Sequence, residues 1–178
     1  RSDPFFANAG DDLQFWFNYV TSDGAGFADY AWARLLDASN TEVALLFTAR
    51  TKASGSIVPG FGMPVPLATL LPATVPIIAG APAWAPLGVS TTSCYSTGCG
   101  YTGWVQANYA ILSAGTFSVE YGVTNWSDTH FDSGLAFSGL TIEGATVNTQ
   151  VVPVPAAAWL FGSGLTVLAS ACRRRSAA

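Results

Sequence analysis

The chain has 178 residues, of which 50% are hydrophobic, 13% aromatic and only 10% charged. Soluble chains usually carry about 25% charged residues and disordered chains are poor in hydrophobic ones, so this composition argues against disorder and favours an all-β extracellular protein. Residues 1–172 hold four cations against eleven acids, a net charge of −7. Because phosphate contacts need clustered Lys and Arg, we expect no nucleic-acid partner.

The first part of the chain contains three strand patterns. Residues 11–21 alternate, with Trp16 on the polar phase and the opposite face formed by Leu13, Phe15, Phe17 and Tyr19. Residues 28–37 fit a strand or a short helix by period, and their aromatic residues favour a strand. Residues 41–51 predict a strand whose inner face is Val43, Leu45, Phe47 and Ala49.

Residues 53–93 are rich in proline, apolar and uncharged. Proline at this density excludes a continuous helix or a central strand. We expect an extended cover over one edge or face of a sheet, with a short strand near Val75–Ala79. The alternative is an exposed apolar patch that binds a partner.

Three further strand patterns follow, at 103–112, 116–126 and 135–144, and Gly139 shifts the phase of the last one like a β-bulge. The sequence therefore predicts an all-β fold, an antiparallel β-sandwich of jelly-roll type, over residues 1–144. Residues 145–151 are expected to be an extended linker. The chain begins without Met, and we expect an export signal upstream of Arg1.

Two of the three cysteines, Cys94 and Cys99, enclose four residues. A zinc site needs about four ligands and a redox pair usually has two intervening residues, so a structural disulfide is the favoured interpretation. A disulfide implies an oxidising compartment.

The C-terminal segment 152–178 is strongly hydrophobic. Residues 156–172 carry no charge, which is near the lower limit for a transmembrane helix, and Arg173, Arg174 and Arg175 follow. The positive-inside rule places these arginines in the cytoplasm and the body on the other side. A core helix, a permanent anchor and a processed sorting signal are the three alternatives, and the lack of a polar face argues against the first.

This segment resembles the PEP-CTERM sorting signal in its VPxPA-type variant. The residues that carry the resemblance are Val152, Pro153, Val154, Pro155, Ala156, Trp159, Leu160, Gly162, Ser163, Gly164, Leu165 and Arg173–Arg175. The resemblance implies an exported protein of a Gram-negative bacterium that makes exopolysaccharide. It also implies recognition by an exosortase in the inner membrane, followed by delivery to the cell surface or the extracellular matrix.

The end of the body is similar to jelly-roll domains that precede such signals. The pattern is carried by Gly115, Phe117, Asn125, Asp128, Asp132, Ser133 and Leu135. This resemblance implies a surface module without catalytic activity.

Candidate binding residues are few. Trp16, Trp104 and Trp126 lie off the inward phases of their strands and could stack on sugar rings, although large aromatic residues more often pack in the core. Asn125, Asp128 and Asp132 bring oxygen ligands into one loop, where calcium is possible and turn capping is the simpler interpretation. No other cofactor is expected.

Catalytic patterns are weak. His130 is the only histidine, and it has Asp128 and Asp132 nearby but no nucleophile-elbow motif. The candidates for a glycosidase pair, by residue type alone, are Glu120, Glu143, Asp128 and Asp132. Solvated strand positions are the simpler interpretation of Glu120 and Glu143. The favoured function is a non-enzymatic biofilm-matrix or surface protein, with a carbohydrate-binding module that retains exopolysaccharide as the alternative and a hydrolase as a weak third.

A processed sorting signal and a permanent anchor differ in the mature protein of the native host, because a sorting protease would remove the end of the tail with Arg173–Arg175. Mass spectrometry of the C-terminal peptide measures this directly. A mature chain that keeps the three arginines would point to a permanent anchor.

Overall fold

The computed structural model describes residues 1–27, 29–81, 87–126 and 128–148. The described part is all-β, with one short 3-10 turn at Gly88–Ser90. The strands are β1 Phe5–Ala7, β2 Asp12–Thr21, β3 Tyr30–Asp37, β4 Glu42–Arg50, β5 Ser56–Val58, β6 Thr69–Leu71, β7 Val75–Pro76, β8 Ile78–Ala79, β9 Gly100–Tyr101, β10 Val105–Ala110, β11 Gly115–Thr124, β12 Ser133–Ile142 and β13 Ala145–Thr146.

The strands form two main antiparallel sheets. The small sheet has the order β1-β11-β3-β4. The large sheet has the order β13-β12-β2-β10-β6, with β9 paired to β2 and β8 paired to β9. β5 and β7 form a separate two-stranded ribbon. The six strand patterns of the sequence correspond to β2, β3, β4, β10, β11 and β12, so those predictions are confirmed.

The two sheets pack face to face around one hydrophobic core. Alternation along β2 turns one face inward, and the rings of Phe15 and Phe17 there meet the small sheet. Phe17 stacks on Phe47 of β4 with ring centroids 3.8 Å apart, and Phe15 packs edge-on against Tyr121 of β11 at 5.4 Å. Burial of each such ring contributes about 1.5–3 kcal/mol relative to an exposed one.

The predicted inward face of β4 is wrong for two of its four residues. Phe47 and Ala49 are buried as expected, but Val43 is exposed and Leu45 is only half-buried. The pairing of β3 with β4 shifts register twice within this strand. Each shift adds a residue to β4, which reverses the alternation that a period-two pattern assumes. In β12 the expected irregularity is present, because the register with β2 shifts between Ser138 and Thr141.

The proline-rich segment is an extended cover that runs from β4 of the small sheet, where the backbone N–H groups of Gly60 and Leu67 donate to β4 carbonyls, to the edge of the large sheet. β6 pairs with β10 as an edge strand, and β7 and β8 supply the strand expected near Val75–Ala79. Ile57, Val58 and Leu70 enter the core, whereas Val65 and Leu67 are exposed. The segment is therefore packed down on one side only, and its residues 82–86 lie outside the described range.

The expected linker begins with ordered structure. β13 pairs with the end of β12, and the backbone N–H of Val147 donates to the carbonyl of Leu140 at 2.9 Å. Val147 is buried. Residues 145–148 are therefore part of the sandwich, because they complete a hairpin on its edge strand.

A buried carboxylate joins the loops at one end of the sandwich. Asp29 is fully buried, and its two oxygens accept hydrogen bonds from the backbone N–H of Trp126 at 2.9 Å and from the hydroxyl of Ser133 at 2.6 Å. Its carbonyl accepts from the backbone N–H and the hydroxyl of Thr51. The Thr51 hydroxyl is 2.7 Å from the hydroxyl of Tyr19 on β2.

Within the described residues, the Asp29 carboxylate has hydrogen-bond donors as partners but no cation in an ion pair. Burial raises the pKa of Asp29 above its usual range, and the hydrogen bonds from Ser133 and Trp126 offset part of the increase. The nearby acids Asp128 and Asp132 raise the pKa further. The charged form of Asp29 is therefore disfavoured by folding.

We expect the stability of the protein to depend on pH through Asp29. A folded-state pKa above the unfolded value means that the stabilisation is complete below about pH 4 and is lost as the pH rises through the folded-state pKa. Asp29→Asn keeps the shape and does not titrate, so its stability relative to the wild type should rise with pH over this window. Urea unfolding from pH 4 to 8 measures the difference.

Asp29→Ala is the complementary variant. It leaves the N–H of Trp126 and the hydroxyl of Ser133 without their acceptor, so a loss of about 1–3 kcal/mol or more is expected at every pH. A difference between wild type and Asp29→Asn that is constant across the pH range would contradict the assignment.

Candidate functional site

The outer face of the large sheet carries the first candidate site. Trp16 lies on the outward phase of β2 and is 38% exposed. Its cross-strand neighbours are Gln106 on β10 and Ser138 on β12. The small residues of β12 leave space for the indole, since a Cβ atom added at Gly139 would come within 3.4 Å of Trp16 Cδ1.

A row of amide side chains lies beside Trp16. Gln14 Nε2 donates to Asn108 Oδ1 at 2.8 Å, and Gln106 Nε2 approaches the same oxygen at 3.4 Å. All three amides are half-buried, so the row is ordered but reaches solvent. An ordered amide row offers both donors and acceptors to a ligand that lies along the strands.

Trp104 reaches the same face through a bulge. Val105 pairs with Phe17 and Tyr101 pairs with Val20, so three residues stand opposite two of β2. Gly103 has a φ of +69°, a conformation that suits glycine at this position. Trp104 is 51% exposed and follows the outward phase of β10. We call the set Gln14, Trp16, Trp104, Gln106 and Asn108 the tryptophan–amide face.

Trp126 lies elsewhere. It follows β11 of the small sheet, and its ring packs against Tyr30 with centroids 5.8 Å apart. The structure therefore brings Trp16 and Trp104 onto one sheet face and separates Trp126 from them. Tyr30 was not among the residues selected from the sequence, although its position on the same phase as Trp32 and Arg34 is a signal that could have found it.

Two of the candidate calcium residues, Asn125 and Asp128, bond within their own loop, and the third, Asp132, connects the loop to Ser90. Asp128 Oδ1 accepts a hydrogen bond from the backbone N–H of His130 at 2.7 Å, and Asn125 Nδ2 donates to the carbonyl of His130 at 3.3 Å. The backbone N–H of Asp132 donates to Ser90 Oγ at 3.2 Å. Within the described residues, no three His, Cys, Asp or Glu side chains form a group that could hold a metal ion.

The two candidate glutamates for hydrolysis belong to different sheets. Glu120 binds Arg34 on the small sheet with a 3.0 Å ion pair. Glu143 follows β12 of the large sheet and accepts the backbone N–H of Asp12 at 2.6 Å. His130 is exposed in the β11–β12 connection. These contacts give each of the two glutamates a structural partner.

The disulfide between Cys94 and Cys99 is present, with their Cα atoms 5.6 Å apart, and confirms that prediction. Its loop packs on the β2–β3 connection, because Tyr95 meets Phe27 edge-on at 5.4 Å and lies 4.8 Å from Phe131. The bridge therefore stiffens the same end of the sandwich that Asp29 organises.

Comparisons of the chain with models of protein families, with curated proteins and with solved structures find no match.

The candidate sorting signal from Val152 to Arg175 lies outside the described residues. Among the residues that are described, no helix is long and apolar enough to cross a membrane.

We expect loss of the disulfide to lower the free energy of unfolding by about 2 kcal/mol, because the bridge restricts a short loop in the unfolded chain. The Cys94→Ser/Cys99→Ser variant and the reduced wild type should behave alike in urea denaturation. Cys172→Ser is the matched control and should leave stability unchanged. Equal stability of the oxidised and reduced proteins would contradict a structural role for the bridge.

Proposed function

We propose that this chain is an exported, non-enzymatic surface or biofilm-matrix protein whose body binds polysaccharide at the tryptophan–amide face. The observation that carries the proposal is the placement of Trp16 and Trp104, both exposed, on one face beside an ordered amide row. One face of a pyranose ring presents apolar C–H groups that pack on an indole, while its hydroxyls exchange hydrogen bonds with amides.

The chemistry of the face favours a neutral glycan. None of its five residues is charged, so no ion pair contributes to selection of the ligand. The residues lie along β2 and β10, so the surface suits several sugar units of an extended chain. Binding of such a chain would hold exopolysaccharide at the cell surface.

Export and sorting form the second part of the proposal. The disulfide is consistent with an oxidising compartment outside the cytoplasm. The resemblance of residues 152–178 to a PEP-CTERM signal supports recognition by an exosortase, transit through the inner membrane of a Gram-negative bacterium as a transmembrane helix, and delivery to the surface. A jelly-roll-like body is part of the same resemblance.

Binding to insoluble and soluble neutral glucans, mannans and galactans, and to exopolysaccharide of the native host, tests the proposal. We expect the full chain to bind at least one of them, and Trp16→Ala and Trp104→Ala each to weaken that binding about tenfold or more, as loss of a central aromatic contact does elsewhere. The measurement is a pull-down with isothermal titration of soluble oligosaccharides.

The matched control is Phe6→Ala, which removes an aromatic side chain that is 63% exposed on the small sheet. It should bind as the wild type does. Absence of binding to every glycan, with an intact fold by circular dichroism, would refute the polysaccharide role, and equal losses in Phe6→Ala and Trp16→Ala would refute the site.

A further inference from the structure

A second cleft, at the edge of the small sheet, combines aromatic rings with positive charge. It has a volume of about 290 Å³, close to the lower end of ligand pockets, and suits one sugar ring. Its lining is Tyr30, Arg50, Gly62, Met63, Pro64 and Trp126. We call it the Trp126 cleft.

Strand pairing places two of the lining residues, Tyr30 and Arg50, and a backbone hydrogen bond places Trp126. Tyr30 begins β3 and lies directly opposite Thr124 of β11 on one side and Arg50 of β4 on the other. The backbone N–H of Trp126 donates to the buried Asp29 carboxylate. The aromatic wall is therefore anchored through backbone contacts that a change of the Trp126 side chain leaves in place.

A tight turn supplies the opposite wall. The backbone N–H of Gly60 donates to both the carbonyl and the hydroxyl of Thr48 at 3.0 Å, which holds the turn against β4. A Cβ atom at Gly60 would meet Met63 Sδ at 2.7 Å and the backbone of Ala49 at 3.1 Å. The turn can approach the sheet this closely because residue 60 is glycine.

Two cations converge on the ring of Phe61 beside the cleft. The guanidinium of Arg50 lies 4.9 Å and the ammonium of Lys52 5.9 Å from its centroid. Residues 1–172 carry only four cations against eleven acids, so two of the four lie at this one place. All the arginines among these cations have partners: Arg50 donates from Nη1 to the Phe61 carbonyl at 3.4 Å, Arg1 contacts Ser118, and Arg34 pairs with Glu42 and Glu120.

We propose that the Trp126 cleft binds a carboxylated hexose, a uronic acid unit of an acidic polysaccharide. Trp126 and Tyr30 provide the apolar surface for the sugar ring, and the planar fork of the Arg50 guanidinium matches the two oxygens of the carboxylate. Lys52 adds positive potential beside it. This site lies on the opposite sheet from the tryptophan–amide face, takes a different ligand class and does not rest on the function proposed for that face.

Binding of polyuronic acid oligosaccharides to the full chain tests the inference by isothermal titration. We expect Arg50→Gln and Trp126→Ala each to weaken binding about tenfold or more, and Arg50→Lys to restore part of it, because a lysine keeps the charge but loses the fork. Binding should weaken as salt increases from 50 to about 500 mM, because screening reduces the attraction between exposed charges.

Arg1→Gln is the matched control, since it removes the same charge at a distant site. It should bind polyuronate as the wild type does. Equal losses in Arg1→Gln and Arg50→Gln would show that bulk charge is responsible and overturn the proposal, as would absence of binding by a folded wild type. Equal affinity for neutral oligosaccharides would contradict recognition of the carboxylate. Equal affinity for a sulfated glycan would show that any anion suffices and would contradict selection of a uronic acid.

Trp16→Ala separates the two proposals. It should lose neutral glycan binding and keep polyuronate binding. Loss of polyuronate binding in Trp16→Ala would place the acidic ligand on the other sheet and refute the Trp126 cleft. Absence of binding to every neutral glycan would refute only the tryptophan–amide face, because polyuronate binding is measured separately.

Discussion

The buried carboxylate of Asp29 is the contact on which one end of the sandwich depends. Its oxygens accept hydrogen bonds from the backbone N–H of Trp126, which follows β11 of the small sheet, and from the hydroxyl of Ser133, the first residue of β12 in the large sheet. The backbone carbonyl of Asp29 accepts a hydrogen bond from the backbone N–H of Thr51, which follows β4. Because a desolvated acceptor must be matched by donors, these strands can end in only a narrow set of relative positions.

That constraint leaves two outer faces with different chemistry. None of the five residues of the tryptophan–amide face on the large sheet is charged, whereas the small sheet presents aromatic rings beside arginines. Arg34, for example, lies 4.9 Å above the ring of Trp32 while it pairs with Glu120. The backbone of Trp126, anchored by Asp29, places its ring beside Tyr30 in the Trp126 cleft, so the contact that joins the loops also positions a residue of the proposed second site.

Much of the candidate site could be predicted from the sequence, because outward positions follow from period two. Trp16 was identified in this way and is exposed. The grouping of residues was not predictable, since Trp16 and Trp104 share a face through the register of β2 with β10, whereas Trp126 belongs to the other sheet. Arg50 and Phe61 were missed because a turn that depends on Gly60 brings them together across eleven residues.

The sequence by itself determined the all-β class, the six long strands and the disulfide, because alternation and cysteine spacing are local properties of the chain. Tertiary structure decided the facing of β4, where the first of two register shifts reverses the alternation and the second restores it. It also decided the path of the proline-rich segment and the partners of Asp29. Each of these depends on contacts between distant residues, and no local pattern encodes which strand a given strand will meet.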